Sequence, residues 1–145
     1  MEFNAKFFNE LTTTDLYEIL KARAAIFVLE QKILYLDMDD IDYRSLHVFY
    51  TDEGEVTAYL RAYEKESDVV QLGRVLTVVH GTGLGGKLLK AGIYEVRKKY
   101  NPKKIYIKAQ SYAKGYYELE GFKDTSDVFM EEGIPHVRME LEFPE

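Results

Sequence analysis

Two periods alternate in the hydrophobic pattern, and the switches between them mark the elements. Leu16, Ile19, Leu20, Ala24 and Phe27 recur at helical spacing. Thr13, Thr14 and Asp15 offer N-cap chemistry, with Glu18 as a capping-box carboxylate after Asp15. Residues 46–51 (LHVFYT) and 56–64 (VTAYLRAYE) read as strands, joined by a hairpin through Asp52-Glu53-Gly54-Glu55. After a turn at residues 65–68, Val69, Val70, Leu72, Val75, Leu76, Val78 and Val79 make a β-branched run of strand length. Gly81, Gly83, Gly85 and Gly86 follow at once. Leu84, Leu88, Leu89, Ile93 and Val96 then return to helical spacing, and Asn101-Pro102 ends that helix. A strand over 104–109 and a helix over 112–120 come next, with Gly121 as its C-terminal cap. Residues 127–130 and 137–143 make a closing pair around Glu132-Gly133; Val137, Met139, Leu141 and Phe143 alternate there with Arg138, Glu140 and Glu142. The order is helix, three strands, helix, strand, helix, two strands. It predicts an α+β fold with a mixed, mostly antiparallel sheet, helices on its faces and one parallel junction beside the glycines.

Residues 69–99 carry the most specific chemistry. A strand feeds a glycine loop, and the loop opens a helix. The first turn of a helix has amide N–H groups without intrahelical acceptors and holds the positive end of the dipole. Glycines let a phosphate approach those amides with no Cβ in the way. The stretch therefore predicts a bound phosphate or pyrophosphate.

Gly81, Gly83 and Gly86 spell the dinucleotide motif G-x-G-x-x-G. That motif needs an acidic residue ending the next strand, and residues 103–111 contain none. Gly81 to Lys87 also fits a nucleotide P-loop, but Leu88 stands where Ser or Thr must hold magnesium. The third alternative is a coenzyme A loop.

Length and composition narrow the class. The chain has 145 residues, one domain (1–145) of ordinary size. There is no cysteine, hence no disulfide scaffold, thiolate nucleophile or cysteine metal site. No apolar run reaches membrane-helix length, and residues 1–10 lack the pattern of a secretory signal, so the cytoplasm is the expected compartment and no membrane partner is expected. The net charge of −6 argues against nucleic acid as a partner. It suits a cationic amine. Arg23 falls on the apolar stripe of the first helix, where it either snorkels or pairs with Glu30 or a following aspartate. Asp37, Asp39, Asp40 and Asp42 invite a calcium loop. An EF-hand would need glycine at Asp42 and glutamate at Val48, so no metal site is expected, and a solvated loop or an acidic wall for an amine remains.

Two motifs together separate the phosphate readings. HGTGLG, residues 80–85, resembles the Gln/Arg-x-x-Gly-x-Gly/Ala coenzyme A loop of the GCN5-related N-acetyltransferases (GNAT), with His80 in the Gln/Arg slot. About 30 residues on, Ala113, Tyr117, Gly121 and Phe122 match the family pattern Asn-x-x-Ala-x-x-x-Tyr-x-x-x-Gly-Phe, with Gln110 in the Asn slot. Arg23, Phe27, Val28, Glu30, Gln31, Tyr35, Asp37 and Asp39 resemble the ElaA-like branch, as do residues 131–139 with His136 in its His slot. Between residues 73–75 and the glycine loop the chain is about two residues shorter than the family pattern.

The resemblance implies the acyl-CoA N-acyltransferase fold, whose parallel strand pair splays apart to take a thioester. It implies acetyl-CoA as co-substrate, and direct transfer of the acetyl group to a primary amine on a small molecule or peptide. The diphosphate would lie on the amides of Gly81, Thr82, Gly83, Leu84, Gly85 and Gly86, with the Thr82 hydroxyl, Lys87, His80 and Gln110 adding contacts. Val75, Leu76 and Thr77 would offer backbone groups to the pantetheine arm. Tyr117 stands where the family places its general acid, and Tyr116 reads as core. Glu30, His47 and His136 are candidates for the acceptor side, including the base. A non-catalytic acyl-CoA sensor and a nucleotide-binding module are the competing functions. Oligomeric state stays open, a homodimer included.

Overall fold

The computed structural model describes residues 1–144. Eight strands form one sheet in the order β1-β2-β3-β4-β5-β8-β6, with β7 paired to β8. The strands are β1 Glu2–Phe7, β2 Leu46–Asp52, β3 Glu55–Glu66, β4 Val69–Thr77, β5 Lys104–Gln110, β6 Lys123–Asp124, β7 Phe129–Glu131 and β8 Ile134–Glu142. The helices are α1 Thr13–Arg23, α2 Leu84–Tyr100 and α3 Lys114–Leu119. Only β4 and β5 run parallel. The predicted plan holds, with β1 and β6 added.

Alternation along β2 and β3 divides the core in two. Phe49, Val56 and Tyr59 face Ile19, Ala22, Ile26 and Phe27 of the first helix. Val48, Ala58 and Leu60 face Leu88, Leu89 and Val96 of α2. Helices thus cover both faces, as period-2 strands buried on both sides require.

The N-terminus of α1 differs from expectation. Thr12 is the cap: its Oγ1 accepts from the Asp15 amide at 3.0 Å, and Asp15 accepts from the Thr12 amide at 3.0 Å. The box therefore starts one residue before Thr13, and Glu18 takes no part in it. Beyond Arg23 the helix widens into a π-helical segment, Ala24–Glu30. α3 ends as Gly121 suggests. Its φ is +100°, and the Phe122 amide donates back to the Tyr117 carbonyl at 3.1 Å, a Schellman closure.

Two irregularities on β4 open the sheet. Pairing with β5 covers Val69↔Lys104 through Leu72↔Ile107 and then stops, so residues 73–77 and 108–110 diverge. On the other side, Tyr59 pairs with Leu76 but Arg61 with Gly73, which inserts an extra residue into β4. Arg74 in that bulge has φ +51°. A bulge bends the strand away from its neighbour.

Candidate active site

A cavity of about 980 Å³ occupies the divergence. Its walls come from the end of β4, the glycine loop, the π-helical segment, the end of β5, α3 and the β7–β8 hairpin.

The glycine loop leaves open space at the start of α2. Gly81 and Gly83 both have φ +78°, and a Cβ at either would meet only open space. Gly83 caps α2. The Lys87 amide makes the first intrahelical bond, to the Gly83 carbonyl at 3.4 Å, so the Gly85 and Gly86 amides have no intrahelical acceptor. The Thr82 hydroxyl accepts from the Leu84 amide at 3.4 Å.

The end of the π-helical segment bridges both banks of the divergence. Glu30 Oε1 lies 2.8 Å from His80 Nε2 in the glycine loop. Gln31 and Gln110 exchange two amide hydrogen bonds, at 3.1 and 3.0 Å, reaching the end of β5. Thr77 Oγ1 stands 3.5 Å from His80 Nδ1.

Below this bridge sits a network the sequence did not suggest as a whole. Arg23, fully buried, donates from Nε to Asp37 and from Nη1 to Asp42, both at 2.7 Å. Arg61 forks onto Asp39 with two bonds of 2.7 Å and adds one to Asp42 at 3.1 Å. Arg74 reaches Asp37 at 2.8 Å. Arg23 therefore neither snorkels nor meets Glu30; its partners are aspartates. Three arginines hold Asp37, Asp39 and Asp42, so these do not form a free acidic wall; of the four aspartates Asp40 stays exposed without an ionic partner among the described residues. Burial would raise the Asp39 carboxyl, but the Arg61 hydrogen bonds and charge, then Arg74, outweigh it and hold it at about 2. Asp42 is likewise lowered: burial opposes, and bonding to Arg23 with the charges of Arg23 and Arg61 wins. The network clamps the strained Arg74 backbone, and so the bulge.

Val75, Leu76, Thr77, residues 80–85, Gln110, Tyr117, Glu30 and His136 all border the cavity. Tyr117 is buried, its ring edge-on to Phe122 at 5.6 Å, and burial, then the neighbouring Tyr112, push its phenol well above the ordinary value. Its hydroxyl has no hydrogen-bond partner among the described residues. Tyr116, read as core, is half exposed and lines the cavity near Gly86. The ring of His136, 8% exposed, donates from Nδ1 to the Ile134 carbonyl at 2.7 Å and stacks on Phe129. That tautomer leaves a lone pair on Nε2.

Three candidates, Gly86, His47 and Lys87, do not border the cavity; Gly86 lies one residue past its edge, in the first turn of α2. His47 is sealed beneath the network. Its Nε2 donates to the Asp42 carbonyl at 2.9 Å, and its Nδ1 accepts from the Tyr59 hydroxyl at 2.6 Å. Burial lowers its basicity; the Asp42 carbonyl and carboxylate oppose this, and the charges of Arg23 and Arg61 add to it. Both ring nitrogens are used, so it has no proton site to offer a substrate. Lys87 does not border the cavity either; its Nζ sits 5.1 Å over the Tyr50 ring. Arg61, Arg74, Gln31, Glu131 and Glu132 line the cavity but were not among the expected site residues, Gln31 and residues 131–132 having entered only as part of the ElaA-like resemblance. An arginine within the apolar run 56–63 was the one signal for Arg61.

A family model described as an acetyltransferase (GNAT) domain matches residues 18–143. The chain belongs to the GNAT acetyltransferase family. Within GNAT it is ElaA-like. Protein ElaA of Escherichia coli is 31% identical over 140 residues, covering 92% of each chain. Its crystal structure superposes with a TM-score of 0.92 at 29% identity, covering 98% of this chain and 100% of that one. A UPF0039 protein of Schizosaccharomyces pombe is 35% identical over 146 residues, covering 98% and 97%. The crystal structure of an acyl-CoA N-acyltransferase from Pseudomonas aeruginosa superposes with a TM-score of 0.90 at 29% identity, covering 97% and 99%. The fold is that of the acyl-CoA N-acyltransferases, and GNAT membership assigns acyl transfer as the general reaction. The dinucleotide and P-loop readings of the glycines give way to it. Among the described residues no helix is long and apolar enough to cross a membrane.

Proposed function

We propose that the protein transfers an acetyl group from acetyl-CoA to a primary amine by direct attack. The observation that carries this reading is a single cavity, set in the β4–β5 divergence, that joins an open glycine cradle to a buried phenol and a histidine with a free lone pair. The residues fit the co-substrate. The Gly85 and Gly86 amides and the helix dipole receive the diphosphate, and the bulged end of β4 offers its unpaired edge to the pantetheine arm.

The chemistry follows from the groups present. The amine, pKa about 10.4 for a lysine-like group, must be neutral to attack. His136 Nε2 takes its proton. The C–N bond forms at the thioester carbonyl, the now cationic nitrogen of the adduct releases its second proton to solvent, and the C–S bond breaks. The thiolate takes a proton from the Tyr117 hydroxyl, a phenol that burial holds protonated. The Tyr117 phenolate regains its proton from solvent or from His136. Products are the amide and free coenzyme A, and no covalent enzyme intermediate is required.

Calorimetric titration with acetyl-CoA, NAD and Mg-ATP, followed by mass spectrometry on an amine library with acetyl-CoA, tests the proposal. Acetyl-CoA alone should bind, and acetylated amines should accumulate. Binding of NAD or Mg-ATP in its place would refute it.

A further inference from the structure

Five carboxylates border the cavity: Glu30, Asp37, Asp39, Glu131 and Glu132. Four are engaged. Glu30 holds His80, Asp37 and Asp39 hold arginines, and Glu131 holds Lys108 at 3.1 Å. Glu132 alone has no cationic partner among the described residues. It occupies the two-residue turn of the β7–β8 hairpin, where Glu132 has φ +53° and Gly133 φ +72°. Two successive positive φ values make a rigid turn that fits the strand twist. The same hairpin carries His136, nine-tenths buried, which borders the cavity and bonds the Ile134 carbonyl through Nδ1.

Another part of the cavity rim is apolar and exposed. Tyr35 and Leu36 border the cavity yet remain 71% and 75% exposed, and Leu34 beside them is 89% exposed. This exposure is imposed by the fold. Arg23 and Arg74 pin Asp37 inward, which fixes its neighbours on the outside. A contiguous apolar face of this kind beside a pocket marks a binding surface.

We infer that the acceptor is an amphipathic amine, with its cationic nitrogen drawn to Glu132, on the hairpin that also carries His136, and an apolar body lying on Tyr35 and Leu36. The inference rests on the acetyl-transfer reading and names the substrate class for that site. Charge complementarity selects the acceptor as occupant: one unpaired carboxylate and one apolar rim border a cavity whose other carboxylates are paired.

Phenethylamine and ethanolamine, compared as acceptors with acetyl-CoA, test it. The aromatic amine should show a kcat/KM at least tenfold higher. In the Tyr35→Ser/Leu36→Ser variant that ratio should fall toward one. Glu132→Gln should raise KM for both amines, with kcat falling less. Acetyl-CoA affinity, measured by calorimetry in each variant, should match the parent and so exclude misfolding. Equal kcat/KM for the two amines, or a ratio that survives the double variant, would overturn the inference while leaving acetyl transfer standing. A concentration-dependent dimer abolished by the double variant would overturn it too, by assigning the apolar rim to a second copy. Failure of the parent to bind acetyl-CoA would remove both readings.

Discussion

Gly92 lies on the buried face of α2, where the helix that follows the glycine loop meets β3. Replacing it with alanine sets two terms against each other. Alanine is favoured over glycine in a helix interior by about 1 kcal/mol. The added Cβ, however, would stand 2.8 Å from Leu60 Cδ2 and 3.3 Å from Cδ1. Leu60 is fully buried among Val48, Ala58 and Leu88, so it has nowhere to retreat. Overpacking of this kind costs about 1–3 kcal/mol. With a contact this short the middle of that range, about 2 kcal/mol, applies, and Gly92→Ala should destabilise by about 1 kcal/mol net. Urea denaturation by linear extrapolation would measure it, and Tm should drop by about 2–4 °C. The cause is separable. In a Leu60→Ala background the clash disappears, and Gly92→Ala should then stabilise by about 1 kcal/mol. The same sign of effect in both backgrounds would refute the packing argument.

Gly83→Ala forces a Cβ onto a φ of +78° without any clash, so strain of about 1 kcal/mol should appear in urea denaturation. Acetyl-CoA affinity should weaken about fivefold by calorimetry as the first-turn amides re-aim. His47, whose folded pKa lies below its ordinary 6.5, binds fewer protons folded than unfolded once pH drops below that value. Stability should therefore fall as pH falls from about 6.5, and His47→Gln should flatten that slope in denaturation curves. Asp39 and Asp42 both have depressed folded pKa values, and the Asp39 contribution is complete above about pH 4 and fades as pH falls toward about 2. A steep acid transition in that window, shallower in Asp39→Asn, is the expected result.

Long periodic elements were legible in the sequence. The β-branched run of β4, the glycine punctuation and the amphipathic α2 located the strand–loop–helix junction correctly, because each has a strong local cause. β1 was missed although Phe3, Ala5 and Phe7 alternate with Asn4 and Lys6; six residues with no turn glycine give a faint signal. The cap at Thr12 was displaced by a row of three adjacent threonines, any of which can serve locally. The arginine–aspartate network was only half legible. Arg23 on an apolar stripe announced a partner, but which carboxylate depends on the path of residues 31–42, a tertiary matter. Arg74 at positive φ has no sequence signature, since only the clamp of Asp37 makes that backbone tolerable. His47 and His136 look alike in a sequence. The fold gives one of them two internal partners and the other a single carbonyl.

Tyr117→Phe tests the proposed chemistry most directly. The change removes an oxygen that has no partner among the described residues and leaves the ring packed on Phe122, so stability and acetyl-CoA affinity should match the parent. Acetylation of an amine acceptor, followed as thiol release in single turnover, should slow by about 10²-fold or more. Unaltered single-turnover rates would contradict the assignment of this phenol as the proton donor.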